Sequence, residues 1–412
     1  MSSHLTLHHR LWRLFPPNQR RRVLTWAAAL AAPGIAEGAP LARDGVILAG
    51  EFTRASGLGE SARLTLGALE LLGVPAWPLD IGPLLPAHTA DVPPPSPPAT
   101  DPPPGAALIL NVNAPLLPLV MARLPRRLTR GRRVVGLWAW ELPVASPEWR
   151  AGARFVHDIW ATSRFAADAL TPLAPGRVRV VPLPLAAVPP RPSRLGRGDF
   201  GLPDAAVVVL TSFNLASSFE RKNPLGAIAA FRTAFGDRMD RILVLKVGNR
   251  NHAPADFARL ETAVAGAPNI RLETRMLPRG DALALTAAAD IILSLHRSEG
   301  FGLVPAEAML LGKPVIATGW SGNMDFMDDH SAALVRYRLV PAHDGRGVYE
   351  VANALWAEPD IDHSAASLRR LADDSAARAA LGEAGRTMAQ ALLGTAALAE
   401  AVRSLGRPPS GA

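Results

Sequence analysis

The sequence predicts an α/β protein built from two parallel-sheet domains. Three observations carry that prediction: its length, an alternation of strand-like and helix-like patterns through both halves, and a proline-rich break between them. A chain of 412 residues exceeds what one typical hydrophobic core organises and divides into two units of ordinary domain size. Strands alternating with helices give parallel sheets covered on both faces.

Residues 1–44 form a basic, amphipathic extension. Beyond it, residues 45–52 read as a strand, 60–72 as a helix and 74–79 as a second strand, a β-α-β start. Residues 91–104 are so rich in proline that they can hold neither helix nor central strand, and predict an exposed loop. Apolar runs at 107–112, 133–138, 159–162 and 178–181 complete a first domain over 45–181. Residues 182–197, again proline-rich, read as the linker. The second domain, 198–385, repeats the alternation with strands at 206–212, 241–247, 270–273, 291–295 and 314–318. Alanine-rich amphipathic stretches at 365–374, 376–388 and 397–405 predict a helical tail.

Composition narrows the function. With 49% hydrophobic and 19% charged residues the chain is globular. It has no cysteine, which excludes disulfides, thiol catalysis and cysteine metal sites. Its ten histidines show no metal-binding spacing, so neither a metal nor another cofactor is expected. The net charge of +8 gathers at Arg10, Arg13, Arg20, Arg21 and Arg22, and again at Arg123, Arg126, Arg127, Arg130, Arg132 and Arg133. Few aromatics lie among these arginines and no reading module accompanies them, so nucleic acid is not the expected partner. Leu11, Trp12, Leu14, Phe15 and Trp26 beside the first cluster suit an anionic membrane surface; a solvated basic face is the plainer alternative. Residues 20–32 mimic a secretory signal, but Pro33 breaks the apolar stretch, and an amphipathic surface helix fits better. No other apolar run approaches the ~20 residues that cross a bilayer. The expected place is the cytoplasm, soluble or peripheral on the membrane's inner face.

The densest chemistry lies in Ser298-Glu299-Gly300-Phe301-Gly302-Leu303-Val304-Pro305-Ala306-Glu307. It joins a buried strand to a helix through a small, flexible turn. In an open α/β sheet such a turn faces the crevice, and the amides of Gly302 and Leu303 at the helix start suit a phosphate. Glu299 and Glu307 would repel that phosphate but can accept hydrogen bonds from sugar hydroxyls on either side of it. A nucleotide-sugar has two such rings with a diphosphate between them. Singly, each glutamate also reads as a turn cap or a solvated helix residue.

These blocks, with Gly312-Lys-Pro-Val-Ile-Ala-Thr and Ser321-Gly-Asn, resemble the donor-site signature of family 4 glycosyltransferases, retaining enzymes of the GT-B fold. Phe213-Asn214 and Glu220-Arg221-Lys222-Asn223-Pro224 resemble the family's phosphate-binding segment. Gly57-Leu-Gly-Glu60 and Trp138-Ala-Trp-Glu141 resemble one bacterial branch. The resemblance covers roughly residues 45–390. It implies two Rossmann-type domains with a C-terminal helix, within 386–412, crossing back onto the first. It implies transfer of a hexose from a UDP- or GDP-sugar to a glycan or lipid-linked acceptor in bacterial polysaccharide biosynthesis. Glu299, Arg221 and Lys222 would be catalytic, and Gly57, Gly59, Lys246, Gly300, Phe301, Gly302, Leu303 and Glu307 would hold the donor. Glu60, Trp138, Trp140 and Glu141 would lie on the acceptor side. The family more often has its arginine five residues before the lysine, where this chain has Ser217, so the division of roles between the two cations stays open.

Two other readings stay open. Gly57-x-Gly59-x-x-Ala62 with Asp80 fits a dinucleotide fingerprint and an NAD-dependent nucleotide-sugar dehydrogenase or epimerase, although residues 52–56 separate its strand from the first glycine. A catalytically silent scaffold of the same fold, binding nucleotide-sugar or glycan, is the other.

Overall fold

A computed structural model describes residues 17–86 and 89–407. The first sheet contains β1 (Val46–Gly50), β2 (Ala76–Asp80), β3 (Ala107–Asn111), β4 (Val134–Trp138), β5 (Asp158–Ala161) and β6 (Val178–Val180). They run in the order β2-β1-β3-β4-β5-β6, and every pair is parallel. The second sheet contains β7 (Val207–Asn214), β8 (Arg241–Gly248), β9 (Ile270–Glu273), β10 (Ile291–Ser294), β11 (Val315–Thr318) and β12 (Ala333–Val335). Its order is β12-β11-β10-β7-β8-β9, again all parallel. An antiparallel hairpin, β13 (Tyr337–Pro341) and β14 (Leu355–Pro359), follows.

The apolar runs are explained by burial on both sheet faces. Strands β1, β3 and β4 are buried throughout, which requires continuous Val, Ile and Leu rather than alternation. Each sheet reverses direction beside its first strand. In the second sheet the reversal lies between β7 and β10, so the loops leaving their carboxyl ends open into one crevice.

The helix expected over 60–72 begins earlier, as Gly57–Leu71, because Ser56 caps it and accepts a hydrogen bond from the Gly59 amide at 3.1 Å. A side chain at Gly59 would meet the Arg54 carbonyl at 2.2 Å and that of Glu51 at 2.7 Å. Both obstacles are backbone, so Gly59→Ala is expected to destabilise the fold by about 1–3 kcal/mol. A thermal melt that leaves the midpoint unchanged would refute that packing role.

The helices Ser375–Leu392 and Ala396–Leu405 divide their work between the domains. Gly382 and Gly385 bring the first against the backbone of the second domain, at the Gly312 and Ser331 carbonyls. Leu398, Ala401 and Leu405 of the second pack with Val46, Leu48 and Ala107 of the first domain. The Ala42 amide donates to the Leu405 carbonyl at 2.9 Å.

Near the start, the helix Pro17–Ala31 docks on the first domain, with Thr25 Oγ1 donating to the Pro115 carbonyl at 3.1 Å and Ala29 facing the core. Val23, Trp26 and Leu30 are 48%, 65% and 69% exposed, and their spacing aligns them along one outward face. Arg10, Leu11, Trp12, Arg13, Leu14 and Phe15, together with the side chains of Arg20, Arg21 and Arg22, lie outside the described residues. Among the described residues, no helix is long and apolar enough to cross a membrane.

Candidate active site

The site grows from the loops after β7 and β10. After β7, Ser218 caps the short helix Phe219–Lys222, its hydroxyl accepting from the Arg221 amide at 3.1 Å. Asn223 ends that turn in the left-handed region, φ 51°, and caps the helix Pro224–Phe235 through Gly226. Its amide nitrogen also donates to the Leu295 carbonyl at 3.0 Å, and the Arg297 amide donates to the Arg221 carbonyl at 2.7 Å. Arg221 and Lys222 are thereby pinned beside the end of β10.

There they meet Glu299. Arg221 Nη1 lies 3.1 Å from Glu299 Oε2, and Lys222 Nζ donates to Glu299 Oε1. Burial alone would raise the Glu299 pKa, but Lys222 and Arg221 bring it down to about 2, so the carboxylate is ionised at all physiological pH. The Arg221 guanidinium is itself buried. It donates to the Ser298 carbonyl at 2.7 Å and to Ser217 Oγ at 2.8 Å, and its Nε is buried without a partner. Arg221 is fixed by Glu299, Ser298 and Ser217, whereas Lys222 is more exposed and tied through Glu299.

The turn itself continues into the helix Leu303–Leu310. Gly302 stands at its start with φ 101°, a conformation that favours glycine, and no side chain caps it. The first amides are therefore left without a side-chain cap. Glu299 is positioned by Ser321, whose hydroxyl accepts from its amide at 2.9 Å, and Gly322 approaches the Gly300 carbonyl so closely that a side chain there would stand 2.4 Å away. Behind the turn, His296 sits between Ser294 Oγ and Asn323 Oδ1, each 3.0 Å away. Burial holds its pKa below the usual value, leaving it neutral.

The first domain closes against this turn. The Gly300 carbonyl accepts from Ser163 Oγ at 2.6 Å and Thr162 Oγ1 at 3.3 Å, and Ser298 Oγ donates to the Glu141 carbonyl. A side chain at Gly300 would meet the Trp140 carbonyl at 2.9 Å. Glu141 Oε1 lies 4.0 Å from Arg221. Tyr349, from the loop between β13 and β14, donates to Glu141, stacks on Trp140 at 5.6 Å and receives the Arg221 guanidinium over its ring at 5.4 Å. Burial raises the Glu141 pKa against the opposing pull of Arg221.

A second tie bridges the cleft. Arg279 Nη1 lies 2.8 Å from Glu307 Oε1, and its Nη2 lies 2.8 Å from Glu60 Oε1; Glu60 also pairs with Arg63 at 2.9 Å. Glu307 is thus already partnered by Arg279. Burial raises its pKa despite Arg279.

Glu299, Arg221, Lys222, Gly300, Gly302 and Leu303 come together, with Glu141 and Trp140 opposite. Gly57 also faces them, since a side chain there would stand 3.6 Å from Leu303 Cδ1. Five expectations need correction. Gly59 gives its amide to Ser56 and its open side to the 51–54 backbone, so neither remains for a donor. Lys246 donates to the Arg275 carbonyl at 2.8 Å, directed toward β9 rather than the cluster. Phe301 is buried against Phe326, 5.1 Å between rings. Trp138 is fully buried edge-on to Trp149 at 5.6 Å and lines no cleft. Glu60, assigned to the acceptor side, is taken up by Arg63 and Arg279. Sequence reasoning missed Tyr349, Arg279, His296 and Ser163. Among the described residues, no group of three or more His, Cys, Asp or Glu could hold a metal ion.

Two such domains facing one crevice are the GT-B fold, and the chain is shared at that level with solved glycosyltransferases. One from Rickettsia africae matches at 13% identity and TM-score 0.59, covering 89% of this chain and 98% of that one. Anabaena HepE, in complex with UDP and glucose, matches at 15% identity and TM-score 0.56, covering 88% and 97%. WaaG, involved in lipopolysaccharide biosynthesis, matches at 17% and 0.53, covering 89% and 100%. Residues 208–358, within the second domain, match the family model described as glycosyl transferases group 1. Among curated relatives, D-inositol 3-phosphate glycosyltransferases of Salinispora arenicola and Acidothermus cellulolyticus are 28% and 29% identical over 199 and 219 residues. Those alignments cover 48% and 52% of this chain and only 40% and 46% of the relatives, so the chain spans less than half their length.

Proposed function

We propose that this chain is a retaining glycosyltransferase of family 4, moving a hexose from a UDP- or GDP-sugar to a glycan or lipid-linked acceptor in bacterial polysaccharide biosynthesis. The observation that carries this reading is the Arg221–Glu299–Lys222 cluster beside the uncapped start of the Leu303–Leu310 helix, at the sheet's switch point and facing the other domain. The leaving diphosphate gains charge as the sugar C1–O bond breaks. Lys222 and the helix amides would stabilise that charge. The acceptor oxygen forms the new bond to C1 on the same face, and its proton passes to the departing phosphate. Lys222 is the mobile cation in this scheme, and Arg221 the fixed brace. Once Lys222 turns to phosphate, Glu299 is free to accept from a hydroxyl of the donor sugar, and it does not attack C1. Glu307 would take the ribose hydroxyls by exchanging Arg279 for them. No metal or other cofactor enters this scheme.

The nicotinamide alternative is not favoured. The Gly59 amide is taken, and Asp80 accepts from Thr53 Oγ1 at 2.8 Å and the Gly82 amide at 3.3 Å, leaving it poorly disposed toward a ribose. A silent scaffold would not need Glu299, both cations and an uncapped helix start together. Thermal shift separates the cases: a ligand that binds only the native state raises its melting point. UDP or GDP is expected to raise it, and NAD is not. A shift with NAD alone would overturn the proposal. Glu307→Ala is expected to weaken the nucleotide shift about tenfold in apparent affinity, the effect of removing one charged hydrogen-bonding partner.

The outward row of Val23, Trp26 and Leu30 supports peripheral contact with an anionic membrane at the cytoplasmic face. Flotation with anionic vesicles at moderate salt is expected for the native chain and reduced for Trp26→Ser, with neutral vesicles capturing less protein. Equal recovery in both layers of the gradient would remove the membrane contact.

A further inference from the structure

Beside the cluster lies a cavity of about 400 Å³, within the roughly 300–1,000 Å³ typical of small-molecule sites. The first domain supplies Asn113, Trp140, Glu141 and Trp149 to its wall, and the β13–β14 loop carries Tyr349 and Glu350 across to close it. Trp140 lies 4.9 Å from Trp149 and 5.6 Å from Tyr349, so three aromatic rings form one side. Glu141 and Tyr349 belong both to this cavity and to the surroundings of Arg221. The cavity therefore opens where an acceptor must meet the donor sugar.

Its charge is one-sided. Among the described residues the wall contains no Lys, Arg or His, while Glu141, Glu148 and Glu350 all contribute to it, Glu148 with a partner of its own. Glu350 Oε1 accepts from the Asp344 amide at 2.7 Å and lies 2.8 Å from the largely exposed His343 ring. Arg221, a buried cation 4.0 Å from Glu141, spends Nη1 and Nη2 on Glu299, Ser298 and Ser217. A phosphate entering here would lose its water without gaining a cation and would face carboxylates. An uncharged sugar meets complementary groups: its hydroxyls donate to carboxylates, and its C–H face lies on aromatic rings.

Resting on the glycosyltransferase reading above, we infer that the part of the acceptor entering this cavity is an uncharged saccharide, and that a phosphorylated polyol such as the one named for the curated relatives is rejected. The selection is local to Glu141 and Glu350 and independent of the donor cluster.

Saturation-transfer NMR on the full chain with saturating UDP or GDP tests this, using methyl glucoside, methyl galactoside and methyl mannoside against D-inositol 3-phosphate and glucose 6-phosphate. Transfer to at least one methyl glycoside and to neither phosphate is expected. Val348→Trp, which fills the cavity from its half-open wall, is expected to abolish the glycoside signal. Glu350→Lys is expected to tighten phosphate binding about tenfold, by replacing a like charge with an opposite one. Phosphates binding the native chain as well as the glycosides would overturn the inference. So would no glycoside binding at all, or an unchanged signal in Val348→Trp. Glycoside selectivity with no nucleotide-induced thermal shift would support the cavity's assignment while overturning the donor site.

Discussion

Lys222→Ala is expected to lower nucleotide-sugar turnover about 10²–10³-fold, the effect typical of removing one preorganised charge from a developing oxyanion, while the protein stays folded. The two halves of that expectation have separate causes. The ammonium is the less buried of the two cations and has one ionic partner, Glu299, so removing it still leaves Glu299 paired with Arg221 at 3.1 Å. Stability should fall modestly. In the reaction no such reserve exists, because Arg221 is tied to Ser298 and Ser217 and can offer little beyond its unpartnered Nε. Steady-state assays of donor hydrolysis and transfer measure the effect. A fall in kcat with KM little changed would assign Lys222 to the transition state; a rise in KM alone would assign it to ground-state binding. Turnover within threefold of the native chain, in a folded variant, would place the leaving-group cation elsewhere.

Much of this site was legible because its chemistry coincides with chain punctuation. The apolar run of β10, a glycine-flanked glutamate and the apolar helix after it are contiguous, so strand, turn and helix read off in order. Arg221 and Lys222 were found because Asn223-Pro224 announces a helix start immediately after them. The same reasoning failed wherever position depends on tertiary packing. Trp138 and Trp140 look alike in sequence, but Trp138 is the last residue of β4 and packs into the sheet's core, while Trp140 lies past the strand at the cavity wall. Lys246 shares its face of β8 with Ile242 and Val244 and is drawn to the Arg275 carbonyl beyond β9. Gly57 and Gly59 read as a pair, yet only Gly57 faces the opposite domain.

Tyr349 and Arg279 left no local signature. The loop bearing Tyr349 is held out by a hairpin whose first strand is mostly exposed, and without a buried face there is no alternation to read. Arg279 opens an ordinary helix after Pro278, and a lone arginine there is indistinguishable from a solvated one until Glu60 and Glu307 are brought to either side of it. Both residues join the two domains. Interdomain contacts depend on how two separately encoded sheets are juxtaposed, which a pattern confined to one element does not specify.

Glu299→Gln is expected to cost about 3–5 kcal/mol of stability at neutral pH, the penalty for leaving buried charge without its counterion. Both cations lose Glu299 at once; Arg221 keeps only the more distant Glu141, 4.0 Å away, and is too deeply placed to recover water. The size is consistent with proton linkage in the native chain. The Glu299 carboxyl ordinarily titrates near 4.5 and is held at about 2 in the fold; at about 1.4 kcal/mol per pH unit this is worth about 3–4 kcal/mol. Because the folded value is the lower one, the contribution is complete above pH 4.5, declines below it and is lost as pH falls through about 2. Urea unfolding followed between neutral pH and the acid limit should therefore show native and Glu299→Gln stabilities converging as pH drops below 4.5. Pairing the substitution with Lys222→Met should restore part of the loss, since one stranded cation is removed with the anion. Curves that stay parallel through the acid range, or a double variant no more stable than Glu299→Gln alone, would mean that this triad does not hold the turn in place.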